Sequence, residues 1–262
     1  MNDSITSPSA LAGAVGPPTE AEPQRPPFWQ YGYTVALVGL MLFMSYSGAD
    51  KQGEFAKRFG HMVFYGVTIA TELVLLGLAY LGMRFARMRL REVVGGRWNT
   101  SEDFLFDLAV AFGFWILSYA ILIGLGAAMH MARPGAIDEG KKTIQQLAPQ
   151  GAVELFLWLC MSVTAGFVEE IVFRGYFQRQ FSTLLRNVWV GMLASAAIFG
   201  LSHGYEGKQR MLLIFVYGAM FGTLAILRKS LRPGMMAHAW HDGFQGILLM
   251  IAQRLIKSGV IK

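Results

Sequence analysis

Two glutamates and an arginine interrupt an otherwise apolar run, Gly166-Phe167-Val168-Glu169-Glu170-Ile171-Val172-Phe173-Arg174-Gly175. On a helix Glu170 and Arg174 are neighbours at i and i+4 and can form an ion pair. Glu169, rotated from Glu170 by about 100°, must find a different partner. Taken alone, the trio also fits a helix end lying among lipid headgroups. His203 follows, and then Arg232-Pro233-Gly234-Met235-Met236-Ala237-His238-Ala239-Trp240-His241-Asp242-Gly243. Pro233 suits a first helical turn; from there His238 and Asp242 share a face, and His241 overlaps it. A lone histidine in an apolar helix is more often a hydrogen-bonded packing residue than a ligand or catalyst. Two histidines and an aspartate beside a second polar group ask for a common chemistry.

Three chemistries use such a set. A carboxylate and a histidine can activate water for hydrolysis. Two histidines and a carboxylate, here His203, His238 and Glu169, are also a common catalytic zinc set, although no His-Glu-x-x-His helix is present. Intramembrane carboxylates and histidines serve proton relays as well, which keeps a transporter, scaffold or immunity protein as a non-enzymatic alternative. Transporters usually show interrupted helices in two corresponding halves, whereas here the polar residues crowd into one.

The elements that must position these residues are membrane helices. The chain has 262 residues, 54% hydrophobic and 15% charged, and its apolar residues fall in long runs rather than alternating stripes. A helix crossing about 30 Å of hydrocarbon needs roughly 17 to 25 residues. Runs of that kind lie near 31–48, 62–83, 104–131, 152–174, 187–203, 211–227 and 234–256. We therefore expect an all-α polytopic bundle of about seven membrane helices, with six to eight as the range. An ionisable side chain at mid-membrane costs at least about 2.5 to 3.5 kcal/mol on insertion scales, so Glu169, Glu170, Arg174, His203, His238, His241 and Asp242 need partners or a wet cavity. Asp107 lies near a span boundary, where water is at hand. Glu72, deep in the second span with no partner evident, is expected outside the group, and His61 and His130 at interfaces.

Residues 1–30, with Pro17, Pro18, Pro23, Pro26 and Pro27 among small and acidic residues, read as a disordered tail without the basic start and apolar core of a signal peptide. Residues 31–262 form the integral membrane domain. Cys160 is the only cysteine, which excludes a disulfide framework and a cysteine metal site. The net charge of +6 sits in loops between apolar runs, as orientation requires, so nucleic acid is not an expected partner; the lipid bilayer is. Arg84, Arg87, Arg89, Arg91 and Arg97 place the loop after the second span, and with it the amino terminus, on the cytoplasmic side. Counted over all loops, 12 Lys and Arg lie on that side and 11 on the other, so the wider count does not decide.

The best turn after Arg174 is at Arg186-Asn187, where a polar stretch gives way to apolar residues. Glu170 lies 17 residues before Asn187 and His203 lies 16 after it. An antiparallel hairpin therefore sets the glutamates and His203 at one height, roughly 25 Å from the turn. That depth points to a cavity entering the membrane from the turn side, since polar backbone such as Gly204-Tyr205-Glu206-Gly207 is tolerated at depth only against water or protein.

Glu169-Glu170-x-x-x-Arg174, Phe199-x-x-x-His203 and His238-x-x-x-Asp242 resemble, in order and spacing, the motifs of the CAAX-protease and bacteriocin-processing family, intramembrane endopeptidases related to the prenyl-protein protease Rce1. The resemblance covers about residues 150–256. It implies a helical bundle with a catalytic cavity in the bilayer, hydrolysis of a peptide bond in a membrane-associated protein or peptide, and no cofactor, zinc being the alternative. Carried over, Glu169 would activate water with His203, Glu170 and Arg174 would organise the site, and His238 and Asp242 would meet the substrate carbonyl. Relatives often have Asn where Asp242 stands; an ionised Asp cannot donate to an oxyanion, so Asp242 would be protonated, bridge through water or orient a histidine, and we favour the last. Independently of the resemblance, water attack on an amide needs a base stronger than a free carboxylate. Desolvation raises carboxylate basicity and a paired arginine lowers it, which favours Glu169 over Glu170. Prenylated CAAX substrates would imply a eukaryotic host and the endoplasmic reticulum; a bacterial protein would sit in the inner membrane and process or resist peptides.

Overall fold

The computed structural model describes residues 28–48, 51–132 and 146–259. The described elements are helical: α1 (Phe28–Gly48), α2 (Gln52–Phe59), α3 (His61–Phe85), α4 (Leu90–Val94), α5 (Ser101–Ala132), α6 (Ala152–Leu185), α7 (Val188–Ser202), a 3₁₀ turn (Gly204–Glu206), α8 (Lys208–Arg228) and α9 (Arg232–Lys257). Each of the seven runs read from the sequence falls on one helix, give or take its cap residues. Five of them, α1, α3, α5, α6 and α8, are long and apolar enough to cross a membrane. α7 is apolar but has 15 residues, and α9 carries the polar residues of the site. The tail assigned to residues 1–30 lies outside the described residues except for its last three, which open α1; most of the loop from Arg133 to Gly151 also lies outside them.

The outer faces explain how these sequences coexist with a small core. Phe43 on α1, Val74 on α3, Ile123 on α5 and Phe156 on α6 are more than 60% exposed, a pattern suited to lipid rather than to water. Inside, Tyr65, Tyr176, Phe177, Phe199, Phe221 and Met235 are almost completely buried. Helices in lipid associate by close packing, which small residues permit. Gly166 brings α6 against α9: a Cβ there would stand 2.6 Å from the Ala239 nitrogen.

The hairpin of α6 and α7 turns where the sequence places it. Arg186 adopts φ 53°, and the Asn187 side chain accepts from the Trp189 and Val190 amides at 2.9 and 3.1 Å, a helix N-cap. Within α6, however, the eight residues Glu170–Phe177 form a π-helix, which the sequence reading took as ordinary α-helix. The wide turn shows in the Phe173 carbonyl, which accepts from the Gln178 amide five residues on and from Ser195 Oγ at 2.7 Å. All eight residues are buried.

At the end of the bundle that holds this turn, Trp29 packs on Phe85 and the Leu231 amide bonds the Val94 carbonyl, so the start of α1, the arginine-rich segment after α3 and the start of α9 lie together. Asp107 is there too, but water does not satisfy it as the sequence suggested. It is 1% exposed and is held by Trp98 Nε1 at 2.9 Å, Arg228 at 3.0 Å and Arg232 at 3.0 Å. At the opposite end, His61 on α3 contacts Glu154 on α6 at 3.0 Å and the Gln146 carbonyl at 3.0 Å.

Candidate active site

A cavity of about 860 Å³ runs into the bundle and is lined by Glu169 of α6, His203 after α7, and His238 and Asp242 of α9. Its lining continues to Lys51 and Gln52 near α2 and to Glu206 and Arg210 at the start of α8, and includes nothing between Phe173 and Phe199. It therefore reaches the surface at the end opposite the Arg186-Asn187 turn, which corrects the expected entry from the turn side. The reason is the shortness of α7. After 15 residues, roughly 22 Å, the chain has passed His203 and within one 3₁₀ turn meets the charged residues Lys208 and Arg210.

Glu170 and Arg174 stand behind the cavity wall. Their carboxylate and guanidinium are 3.0 Å apart, with side chains 1% and 2% exposed. A second guanidinium nitrogen of Arg174 donates to the Gly218 carbonyl at 3.2 Å. Phe199, Phe221 and Phe173 surround the group, with ring centroids 4.5, 5.4 and 5.9 Å from Cζ. Such a cage suits arginine, whose planar and weakly hydrated cation stacks on aromatic faces.

Glu170 has a second partner that spacing did not reveal. His238 Nδ1 lies 3.1 Å from Glu170 Oε1. With a carboxylate as acceptor, Nδ1 is the donor, and the ring turns Nε2 toward the cavity. There it stands 3.6 Å from Glu169 Oε2 and 3.7 Å from Asp242 Oδ2. His238 is thus the hub on which the three carboxylates converge. The backbone that carries it is pinned by donors from other helices, Trp158 Nε1 to the Asp242 carbonyl at 2.8 Å and the Tyr119 hydroxyl to the His241 carbonyl at 3.2 Å. His241 does not join the hub; its ring stacks on Tyr119 with centroids 4.3 Å apart.

His203 caps α7, and its Nδ1 lies 2.8 Å from the Phe199 carbonyl. A carbonyl only accepts, so Nδ1 carries the hydrogen and neutral His203 offers Nε2 as an acceptor. Phe199 of the Phe199-x-x-x-His203 motif hence serves twice, holding His203 through its carbonyl and Arg174 through its ring. Glu72 was expected outside the group and lies on the cavity wall, close enough to Glu169, His203, His238 and Asp242 to interact electrostatically with all four. The available signal was its charge within a span; its neighbours, on three other helices, left no trace in local spacing.

Among the described residues no group of three His, Cys, Asp or Glu side chains is placed to hold a metal ion together.

Residues 151–244 match the family model described as Rce1-like, type II CAAX prenyl endopeptidase Rce1-like. Comparison with curated proteins and with solved structures finds no significant match. The matched segment contains Glu169, Glu170, Arg174, His203, His238 and Asp242, and leaves out Glu72. The helical bundle with its lipid-suited faces is that of a multi-pass integral membrane protein, and its segment 151–244 is similar to the Rce1-like family of type II CAAX prenyl endopeptidases.

Proposed function

We propose that this protein hydrolyses a peptide bond of a membrane-associated protein or peptide by a glutamate-activated water, without a metal. The observation that carries the reading is the division of labour between adjacent glutamates: Glu170 is held by Arg174 and His238 behind the wall, while Glu169 faces the cavity with no cation closer than His238 Nε2 at 3.6 Å among its ion pairs. In this scheme water lies between Glu169 and His203 Nε2. As its oxygen attacks the scissile carbonyl carbon, one proton passes to Glu169 and the carbonyl oxygen takes up negative charge. The tetrahedral adduct then collapses, the C–N bond breaks, and the proton held by Glu169 goes to the departing nitrogen, leaving a carboxylic acid and an amine. Glu170 and Arg174 fix the hub histidine, and Asp242 orients it from the other side.

A membrane-embedded cavity reaching the surface at one end suits a substrate held at the bilayer, such as a lipidated carboxy-terminal segment or a membrane peptide. The membrane would be the inner membrane in a bacterium and the endoplasmic reticulum in a eukaryote. The test is peptide cleavage in detergent by the wild type and Glu169→Gln. The variant is expected to lose at least about 100-fold in rate, the usual worth of a general base, while remaining folded; a variant that cleaves like the wild type would sink the scheme. Activity should persist in strong chelator, and loss that zinc restores would replace the metal-free mechanism.

A further inference from the structure

When water adds to a peptide carbonyl, the charge that develops on oxygen must be met by a donor already in place, and in a water-poor site this is often the largest catalytic contribution. The groups named so far offer at most one, His238 Nε2. Asp242 as a carboxylate only accepts. His238 directs Nε2 toward two carboxylates, and Arg174 is behind Glu170. Four of the eight hydroxyl side chains on the cavity wall are engaged with backbone carbonyls, Thr68 with Phe64 at 3.0 Å, Ser162 with Trp158 at 2.8 Å, Ser202 with Phe199 at 2.8 Å and Tyr119 with His241 at 3.2 Å, while those of Thr71 and Tyr205 are not among the buried, unpartnered atoms.

Tyr217 of α8 differs. It lines the same cavity, is 6% exposed, and its buried hydroxyl has no hydrogen-bond partner among the described residues. Its ring meets His238 edge-on, with centroids 5.5 Å apart, and it interacts electrostatically with Asp242 and Glu170. A buried donor without a partner costs about 1–3 kcal/mol, and phenylalanine would fill the space without that penalty. Two other buried, unpartnered atoms border the cavity, Ser45 Oγ and His241 Nδ1. Ser45 belongs to the last turn of α1 at the mouth. An imidazole nitrogen can rest without a hydrogen, whereas a neutral phenol always carries one.

Building on the peptidase reading, we propose that Tyr217 donates its hydroxyl hydrogen bond to the oxyanion of the tetrahedral adduct. The hydroxyl keeps its proton throughout, so the balance of the hydrolytic step is unchanged.

The test compares full-length wild type, Tyr217→Phe, Ser45→Ala and Glu169→Gln in detergent on one quenched fluorescent peptide, with thermal unfolding and binding of a peptidyl phosphinate that mimics the anionic adduct. Tyr217→Phe is expected to lower kcat about 100-fold, as loss of one such donor does, with KM within about twofold and phosphinate affinity reduced by a factor like that in kcat. Its unfolding temperature should stay level or rise, and Ser45→Ala should match the wild type. Wild-type kcat in Tyr217→Phe, or a kcat loss with unchanged phosphinate binding, overturns the donor role. If Glu169→Gln is inactive while Tyr217→Phe is not impaired, only this proposal falls. If wild type and Glu169→Gln are equally inactive on every candidate peptide, the peptidase reading falls and takes the proposal with it.

Discussion

Glu170 sits where three side chains from two helices converge, and its environment decides what Arg174 is for. A buried ion pair contributes little net stability over an apolar replacement, yet removing one partner leaves a charge buried alone. Arg174→Met is accordingly expected to destabilise the protein by about 3–5 kcal/mol, measured as a lower unfolding temperature in detergent. Glu170→Gln in the same chain should recover part of the loss, and an Arg174→Met protein as stable as the wild type would show that the pair is not desolvated. The pairing of Glu170 with Arg174 was legible from their spacing. The contact with His238, 68 residues away, was not, because no local rule relates residues on separate helices. For Asp242, the sequence left three roles open, and its oxygen stands 3.7 Å from His238 Nε2, beside the hub histidine.

The hairpin of α6 and α7 carries two of the three motifs, so its register is the element on which the site depends. Its turn was readable because Asn187 is a strong N-cap at a polar-to-apolar switch. Asn187→Ala should cost about 1 kcal/mol, seen by thermal unfolding, with cleavage retained. The π segment was not readable: its eight residues are all buried, so no polar face marks the phase of the helix, and Ser195, which bonds the Phe173 carbonyl of the wider turn, reaches across from α7. Ser195→Ala, which leaves the Phe173 carbonyl with only its backbone donor, is expected to destabilise by about 1 kcal/mol and to lower kcat more than Asn187→Ala does, because Glu170 and Arg174 ride on this segment. Equal kcat in the two variants would separate the π turn from catalysis.

At the scale of the molecule, the bundle has two unlike ends. One holds the start of α1, the arginines after α3, the Asp107 cluster and the hairpin turn; the other holds α2, the 3₁₀ turn and the cavity mouth. In sealed vesicles carrying the protein with Cys160→Ala, a membrane-impermeant thiol reagent should reach Lys51→Cys and Arg186→Cys from opposite sides. A bulky label on the first should block cleavage and on the second should not. Labelling of both from one side would refute the placement of the mouth. If the arginines after α3 face the cytoplasm, as their density suggests, the mouth opens on the other side, and the same labelling decides it.

Long apolar runs determined the membrane bundle, since the length needed to cross hydrocarbon is a local property that a single segment displays. The ionisable residues inside those runs likewise marked the site, because each demands compensation wherever the helix packs. Packing decided the rest. Which end the cavity opens on followed from the short α7 and the start of α8. The inclusion of Glu72 and the convergence on His238 followed from how α3, α6 and α9 face one another. These relations arise only when separate helices meet, where close approach at small residues such as Gly166 sets the distances between side chains that the sequence can order but not bring together.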